Sequence, residues 1–271
     1  MSATEKLIEL YQSNPLLKNI KLNSKNIKEA VFYVDEVTNC KKCKGLEYCK
    51  NNISGIKPSF DGENLSYIPC EYKLIEEKRH NVDTTFASNY IKDANLNDFD
   101  ISTSNRTKVL AYAQKVLSSG KKMPSGLYIY GQYGTGKTYF LSALANELAQ
   151  NNVKSIIVFM PDLSRNLKNA MAENLLESRV NLLKNVDVLM LDDLGGEMVS
   201  SWLRDEIIAP IIQYRMINNK PIYISSNLDY NLLREHFAST KDDVDNIKSN
   251  RILERIKQMT KRVCFDEQFK K

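Results

Sequence analysis

Residues 131–138, GQYGTGKT, combine glycines, a lysine and a threonine at the spacing of a phosphate-binding loop. In such a loop the glycines let successive backbone N–H groups turn inward on the phosphates. The lysine reaches the β- and γ-phosphates, and the hydroxyl ligates Mg²⁺. Gly131, Tyr133, Gly134, Thr135, Gly136, Lys137 and Thr138 are therefore assigned to ATP or ADP, with Thr138 also on the metal.

A second pair of groups closes VDVLMLDD at positions 186–193. Burying the apolar run fixes its carboxyl end, so that Asp192 holds Mg²⁺ and Asp193 orients and polarises the attacking water. A third candidate is Asn227, after PIYISS, whose amide is suited to hydrogen-bond the γ-phosphate or the lytic water. A fourth is Arg251 with Arg255, four apart and on one face if residues 249–256 are helical. An arginine lent to a neighbour's nucleotide would tie hydrolysis to assembly, and a pair of solvated helix arginines is the plainer alternative.

Five cysteines are too few for a disulfide scaffold in 271 residues, and four of them fall between positions 40 and 70. Cys40 and Cys43 form a C-x-x-C pair, which brings two thiolates to one ion from a tight turn. Cys49 and Cys70 complete a tetrahedral zinc set, with His80 as the rival to Cys70.

Positioning these groups requires strands that end in loops. Residues 126–130 read as a strand running into the phosphate loop, and the apolar positions from Phe140 to Leu148 as the helix that follows. Further strands are expected at 153–159, 186–191, 221–225 and 262–265. Helices are expected at 162–183, as one or two, and at 202–217. This alternation argues for an α/β fold, a parallel sheet flanked by helices, with ligands at the carboxyl ends of the strands. Ahead of it lie short helical patterns around Leu7 and Ile27, a polar stretch, and a helix through Val109, Tyr112, Ala113 and Val116.

Hydrophobic residues make up 42% of the chain, ample for a core, and the net charge of +5 permits contact with nucleic acid without demanding it. The start has no leader pattern and no apolar run is long enough to span a bilayer, so the expectation is a cytoplasmic protein with no membrane contact.

Together the cysteine cluster, GQYGTGKT, LMLDDLGGE, SWLRDEIIAPIIQYRM, ISSN and NRILERI resemble the AAA+ replicative helicase loaders of the bacterial primosome, whose ATPase core is of the DnaC and IstB type. The resemblance covers most of the chain. It implies a small, mainly helical, zinc-binding amino-terminal domain over residues 1–85 that docks on a DnaB-type helicase. Residues 86–125 become a linker and the first helix of the ATPase. Residues 126–271 become an AAA+ core without a full carboxyl-terminal lid.

The resemblance further implies binding of single-stranded DNA, self-association through the ATPase domains, and delivery of the helicase ring to DNA. Carried over by residue, Lys137 and Thr138 contact nucleotide and Mg²⁺, and Asp192 and Asp193 hold metal and orient water. Asn227 is the sensor, and Arg255, then Arg251, the finger. Loaders would line the ring interior with the span 161–185. Here that span mixes Arg165, Lys168, Arg179 and Lys184 with Asp162, Glu173 and Glu177, so composition alone reads it as a solvated face. Two other readings stand beside the loader. One is an IstB-type transposition helper ATPase, which is not expected to carry the cysteine module. The other is a zinc adaptor that uses ATP only as a binding switch.

Overall fold

Ser2 opens the first helix with a reciprocal cap: its hydroxyl accepts the Glu5 N–H at 3.2 Å, and the Glu5 carboxylate accepts the Ser2 N–H at 2.6 Å. In this computed structural model, residues 2–51, 53–79, 81–120, 123–240 and 245–265 are described. His80 lies outside them. The chain divides into two units, Met1–Glu77 and Lys78–Lys271.

The first unit holds α1 (Ala3–Gln12), α2 (Ile27–Lys41), β1 (Ile56–Phe60), β2 (Leu65–Pro69) and α3 (Glu71–Arg79), the last crossing the division. Its core is small: Leu17, Leu22, Ile27, Ala30 and Val34 are buried together, with Tyr33 and Phe60 packed on them. β1 and β2 form an antiparallel hairpin in register from Ile56 opposite Pro69 to Phe60 opposite Leu65. The helical patterns do not reveal this hairpin, because its apolar residues do not alternate regularly and β2 is mostly exposed.

The second unit begins with β3 (Val82–Phe86) and α4 (Ser104–Ser118), followed by β4 (Gly126–Gly131) and α5 (Lys137–Gln150). Then come β5 (Ser155–Phe159), α6 (Met160–Ala172), α7 (Leu176–Asn185) and β6 (Val188–Asp192). The remainder is α8 (Ala209–Ile217), β7 (Ile222–Ser226), α9 (Tyr230–Ala238), α10 (Asn246–Met259) and β8 (Thr260–Phe265). The strands form one parallel sheet in the order β3-β5-β6-β7-β4-β8. Because side chains alternate across a strand, Leu127 and Ile129 of β4 join a core beneath α4 and α5, and Tyr128 points into the opposite core. Both faces are covered, as an all-parallel sheet requires.

Two local outcomes differ from the sequence reading, and one resolves an alternative that it left open. The sheet starts at Val82, inside the residues assigned to the amino-terminal domain, and β3 forms its edge beside β5. The helical span after β5 is two helices, α6 and α7. The expected helix 202–217 instead opens with a π-helical stretch, Leu203–Ile208, before α8. Pro210, in the first turn of α8, has no N–H to give the preceding turn, so the winding widens there. Among the described residues no helix is long and apolar enough to cross a membrane.

Candidate nucleotide site and cysteine cluster

The carboxyl ends of β4, β6 and β7 bring the predicted chemistry together. β7 lies between the other two in the sheet, so Asn227, just past its end, stands between the phosphate loop and the aspartate pair. The loop after β4 needs backbone that only glycine adopts without strain. Gly136 enters α5 with φ at +83°, and Gly131 has φ at +144° with the Phe265 carbonyl oxygen 1.9 Å from where a Cβ would stand.

Lys137 is buried. Its ammonium donates to the carbonyls of Gly131 at 2.9 Å and Gln132 at 2.7 Å, and to Asn227 Oδ1 at 2.8 Å. Burial pulls its pKa below the usual lysine value, and Asp193 and Asp192 oppose that shift.

Asp192 is fully buried, and three hydroxyl and amide groups fix its two oxygens. Thr138 Oγ1 lies 3.1 Å from Oδ1 and 2.9 Å from Oδ2, and Ser225 Oγ donates to Oδ1 at 2.5 Å. Asn89 Nδ2 donates to Oδ2. A hydroxyl facing a buried carboxylate beside a phosphate loop is the donor set that Mg²⁺ accepts, so Thr138 and Asp192 fit that ion. Asp193 turns away from the strand with φ at +57°, held by its N–H to Ser225 Oγ at 2.9 Å, while Asn227 Nδ2 donates to its Oδ1 at 2.7 Å. Burial, then Asp192 and Glu197, raise the Asp193 pKa above its ordinary value, with Lys137 opposing.

These groups open on a cavity of about 600 Å³, the size of a small-ligand site. Its other wall comes from the segment after β3 and from α4: Ile91, Phe99, Asp100 and Arg106, with Tyr139 of α5. Arg106 is 2% exposed. It donates to the Thr135 carbonyl of the phosphate loop, pairs with Asp100 at 3.4 Å, and lies 4.9 Å from the Phe265 ring centroid. Gly134, Thr135, Gly136 and Tyr133 line this cavity, whereas Gly131 faces a second one behind the loop, beside Cys264.

Asn89, Ser225 and Arg106 were not singled out from the sequence. The first two hold the Asp192 carboxylate from the segment after β3 and from β7, and nothing in their neighbours' types marks them. The position of Ser225, two residues before Asn227, was the one available clue.

Arg251 and Arg255 stand on α10, four apart as expected, exposed and half-buried respectively, and neither lines the cavity. The span 161–185 becomes α6 and α7 with a mixed surface. Arg165 pairs with Asp162 at 2.5 Å, and Arg179 lies over the Phe86 ring.

In the first unit, Cys40, Cys43, Cys49 and Cys70 all line one cavity of about 250 Å³. All are free thiols. Asn51 Nδ2 donates to Cys40 Sγ at 3.3 Å, and Cys43 Sγ donates to the Gly45 carbonyl at 3.2 Å. Burial pushes the Cys40 thiol up, as do the other three thiols despite the Asn51 bond, whereas the backbone N–H groups of Gly55 and Asn51 pull Cys49 down. Among the described residues no three His, Cys, Asp or Glu side chains are drawn tightly enough to hold a metal ion. The donor chemistry fits zinc and the thiols converge, but the coordination sphere is not closed.

Residues 91–236 match the family model of the bacterial DnaA ATPase domain. The replicative helicase loader DnaI of Bacillus subtilis (strain 168) is 34% identical over 247 residues, which cover 87% of this chain and 79% of that protein. A crystal structure of DnaI is 41% identical, with a TM-score of 0.57, over 64% of this chain and 90% of its own. The crystal structure of the DnaC helicase loader is 25% identical, with a TM-score of 0.53, over 64% of this chain and 97% of its own.

Proposed function

The chain belongs to the DnaI family of replicative helicase loaders, built on a DnaA-type ATPase domain, and from that premise we propose that it delivers a DnaB-type helicase to single-stranded DNA in an ATP-dependent step of replication initiation or restart. The observation that carries this reading is the convergence of Lys137, Thr138, Asp192, Asp193 and Asn227 on one cavity at the carboxyl edge of the sheet.

Each group has a separate task in that reading. Lys137 and the loop amides hold the β- and γ-phosphates, and Thr138 and Asp192 hold Mg²⁺, which would neutralise the phosphate charge that develops. Asp193 orients and polarises a water, with its raised pKa favouring proton acceptance. Asn227 touches both Lys137 and Asp193, and so reports the γ-phosphate to the acid that orients the water. Arg255, with Arg251 second, reaches the nucleotide of a neighbouring subunit, so turnover depends on assembly; its position outside the chain's own cavity supports that role.

The first unit docks on the helicase, and Cys40, Cys43, Cys49 and Cys70 hold a structural zinc. Convergence of the four thiols supports this, as does a core of five buried residues among those described, too small to stabilise the segment unaided. The test is ATP hydrolysis by the full chain with and without single-stranded DNA, for wild type and Asp193→Asn. Turnover that DNA stimulates and the substitution abolishes is expected. No turnover under any condition points instead to an adaptor that uses ATP as a binding switch.

A further inference from the structure

The stretch from Phe86 to Asn95 leaves the edge strand and crosses the ends of β5 and α5, tied down at almost every second residue. Phe86 is buried in the core. Ser88 Oγ donates to Asp162 of α6 at 3.0 Å, and the Ile91 N–H donates to Ser142 Oγ of α5 at 3.2 Å. The Asn95 N–H donates to the Tyr139 hydroxyl at 3.2 Å. Between these anchors Asn89 reaches into the cavity and donates its side-chain amide N–H to Asp192 Oδ2.

The other half of that amide has no partner. Asn89 Oδ1 is buried without a hydrogen bond. Turning the amide round offers no relief, because it would set an acceptor oxygen against a carboxylate. An unpaired buried carbonyl oxygen is unfavourable, so the amide is held in this orientation by the bond its other half makes to Asp192.

We propose that Asn89 is a positioning residue for the metal of the nucleotide site. Its N–H fixes the Asp192 carboxylate in the orientation from which that carboxylate would hold the metal. A single well-oriented carboxylate suits Mg²⁺, which binds through one or two carboxylates and the phosphates. Thr138 and Ser225 hold Asp192 from its other sides, so Asn89 is the group on the strap after β3 that completes the clamp. Groups that orient a metal ligand in this way set metal affinity by about 10–100-fold. The inference rests on the reading of the cavity as a nucleotide and Mg²⁺ site.

The test is binding of the fluorescent nucleotide mant-ADP to the full chain, titrated at a series of Mg²⁺ concentrations and again in EDTA. Asn89→Leu, similar in shape but without donor or acceptor, should raise the half-saturating Mg²⁺ concentration by about 10-fold. Affinity in EDTA should stay within about twofold, because the phosphate loop is untouched. Asn89→Ala, which adds no bulk, must show the same split, and thermal melts of both variants confirm a folded protein. An unchanged Mg²⁺ requirement, or an equal loss with and without metal, overturns the role of Asn89. Failure of the wild type to bind nucleotide at any Mg²⁺ concentration overturns the reading of the cavity itself, and this role with it.

Discussion

Lys137 Nζ and Asn227 Oδ1 are joined by a 2.8 Å hydrogen bond, and the same Asn227 amide donates to Asp193 Oδ1 at 2.7 Å. One side chain at the tip of β7 therefore spans the lysine that closes the glycine-rich loop and the second aspartate after β6. A γ-phosphate that engages Lys137 must compete for the first bond, and any shift of the amide reaches Asp193 through the second. The link needs β7 between β4 and β6, which is the strand order observed.

Asn227→Ala removes the link but leaves the phosphate loop and Asp192 in place. Steady-state hydrolysis should fall by about 10²-fold, the scale of a lost transition-state hydrogen bond. Nucleotide affinity should change by no more than about threefold. Equal losses in affinity and turnover would assign Asn227 to ground-state binding instead.

Asp193 carries a pKa raised above its ordinary 3.8, first by burial and then by Asp192 and Glu197. The folded chain therefore keeps a proton that the unfolded chain has already released. Stability falls as pH rises from the unfolded value to the raised one, and the penalty is in full force once pH exceeds the raised value. Asp193→Asn should raise Tm at pH 7.5 by roughly 1–4 °C and lower turnover by about 10²-fold or more. The gain in Tm should shrink as pH falls toward 4, and scanning calorimetry across that range reads it directly. A destabilised Asp193→Asn at neutral pH would contradict the assignment.

Arg106 is a buried cation that joins α4, the phosphate loop and the Phe265 ring. Arg106→Met keeps much of the volume but leaves the Thr135 carbonyl and Asp100 without the guanidinium. Denaturant unfolding should show a loss of about 2–4 kcal/mol, and nucleotide affinity should fall with it as the loop loosens. A surface arginine would give a change within about 0.5 kcal/mol.

The cysteine cluster should contain about one zinc per chain in reduced protein. Chelation should melt the first unit while leaving nucleotide binding by the second intact. Metal analysis that finds no zinc in carefully reduced protein would sink this part of the account.

Much of the candidate nucleotide site was legible because each motif is local. GQYGTGKT, the aspartates closing β6 and Asn227 after β7 each sit where an apolar strand ends, and the fold only had to bring those ends together. Asn89 and Ser225 were not legible, since each acts on Asp192 across the sheet, and an isolated Asn or Ser has no spacing to betray it. β3 escaped notice because Asp83, Thr84 and Thr85 give it the polar look of an edge strand. Arg106 reads as a solvated helix residue until its burial is seen. In the first unit the cysteines could be grouped by number, but the hairpin that carries Cys70 to the others has no strong apolar alternation.

The central claim, that this ATPase places a helicase on DNA, is tested most directly by a loading assay with purified DnaB-type replicative helicase and circular single-stranded DNA. Helicase retained on the circles after gel filtration in high salt is the quantity measured. The account expects retention only when the full chain and ATP are both present, and its loss with Lys137→Ala. Retention no greater than in the absence of the chain, with both proteins folded and ATP bound, would contradict it.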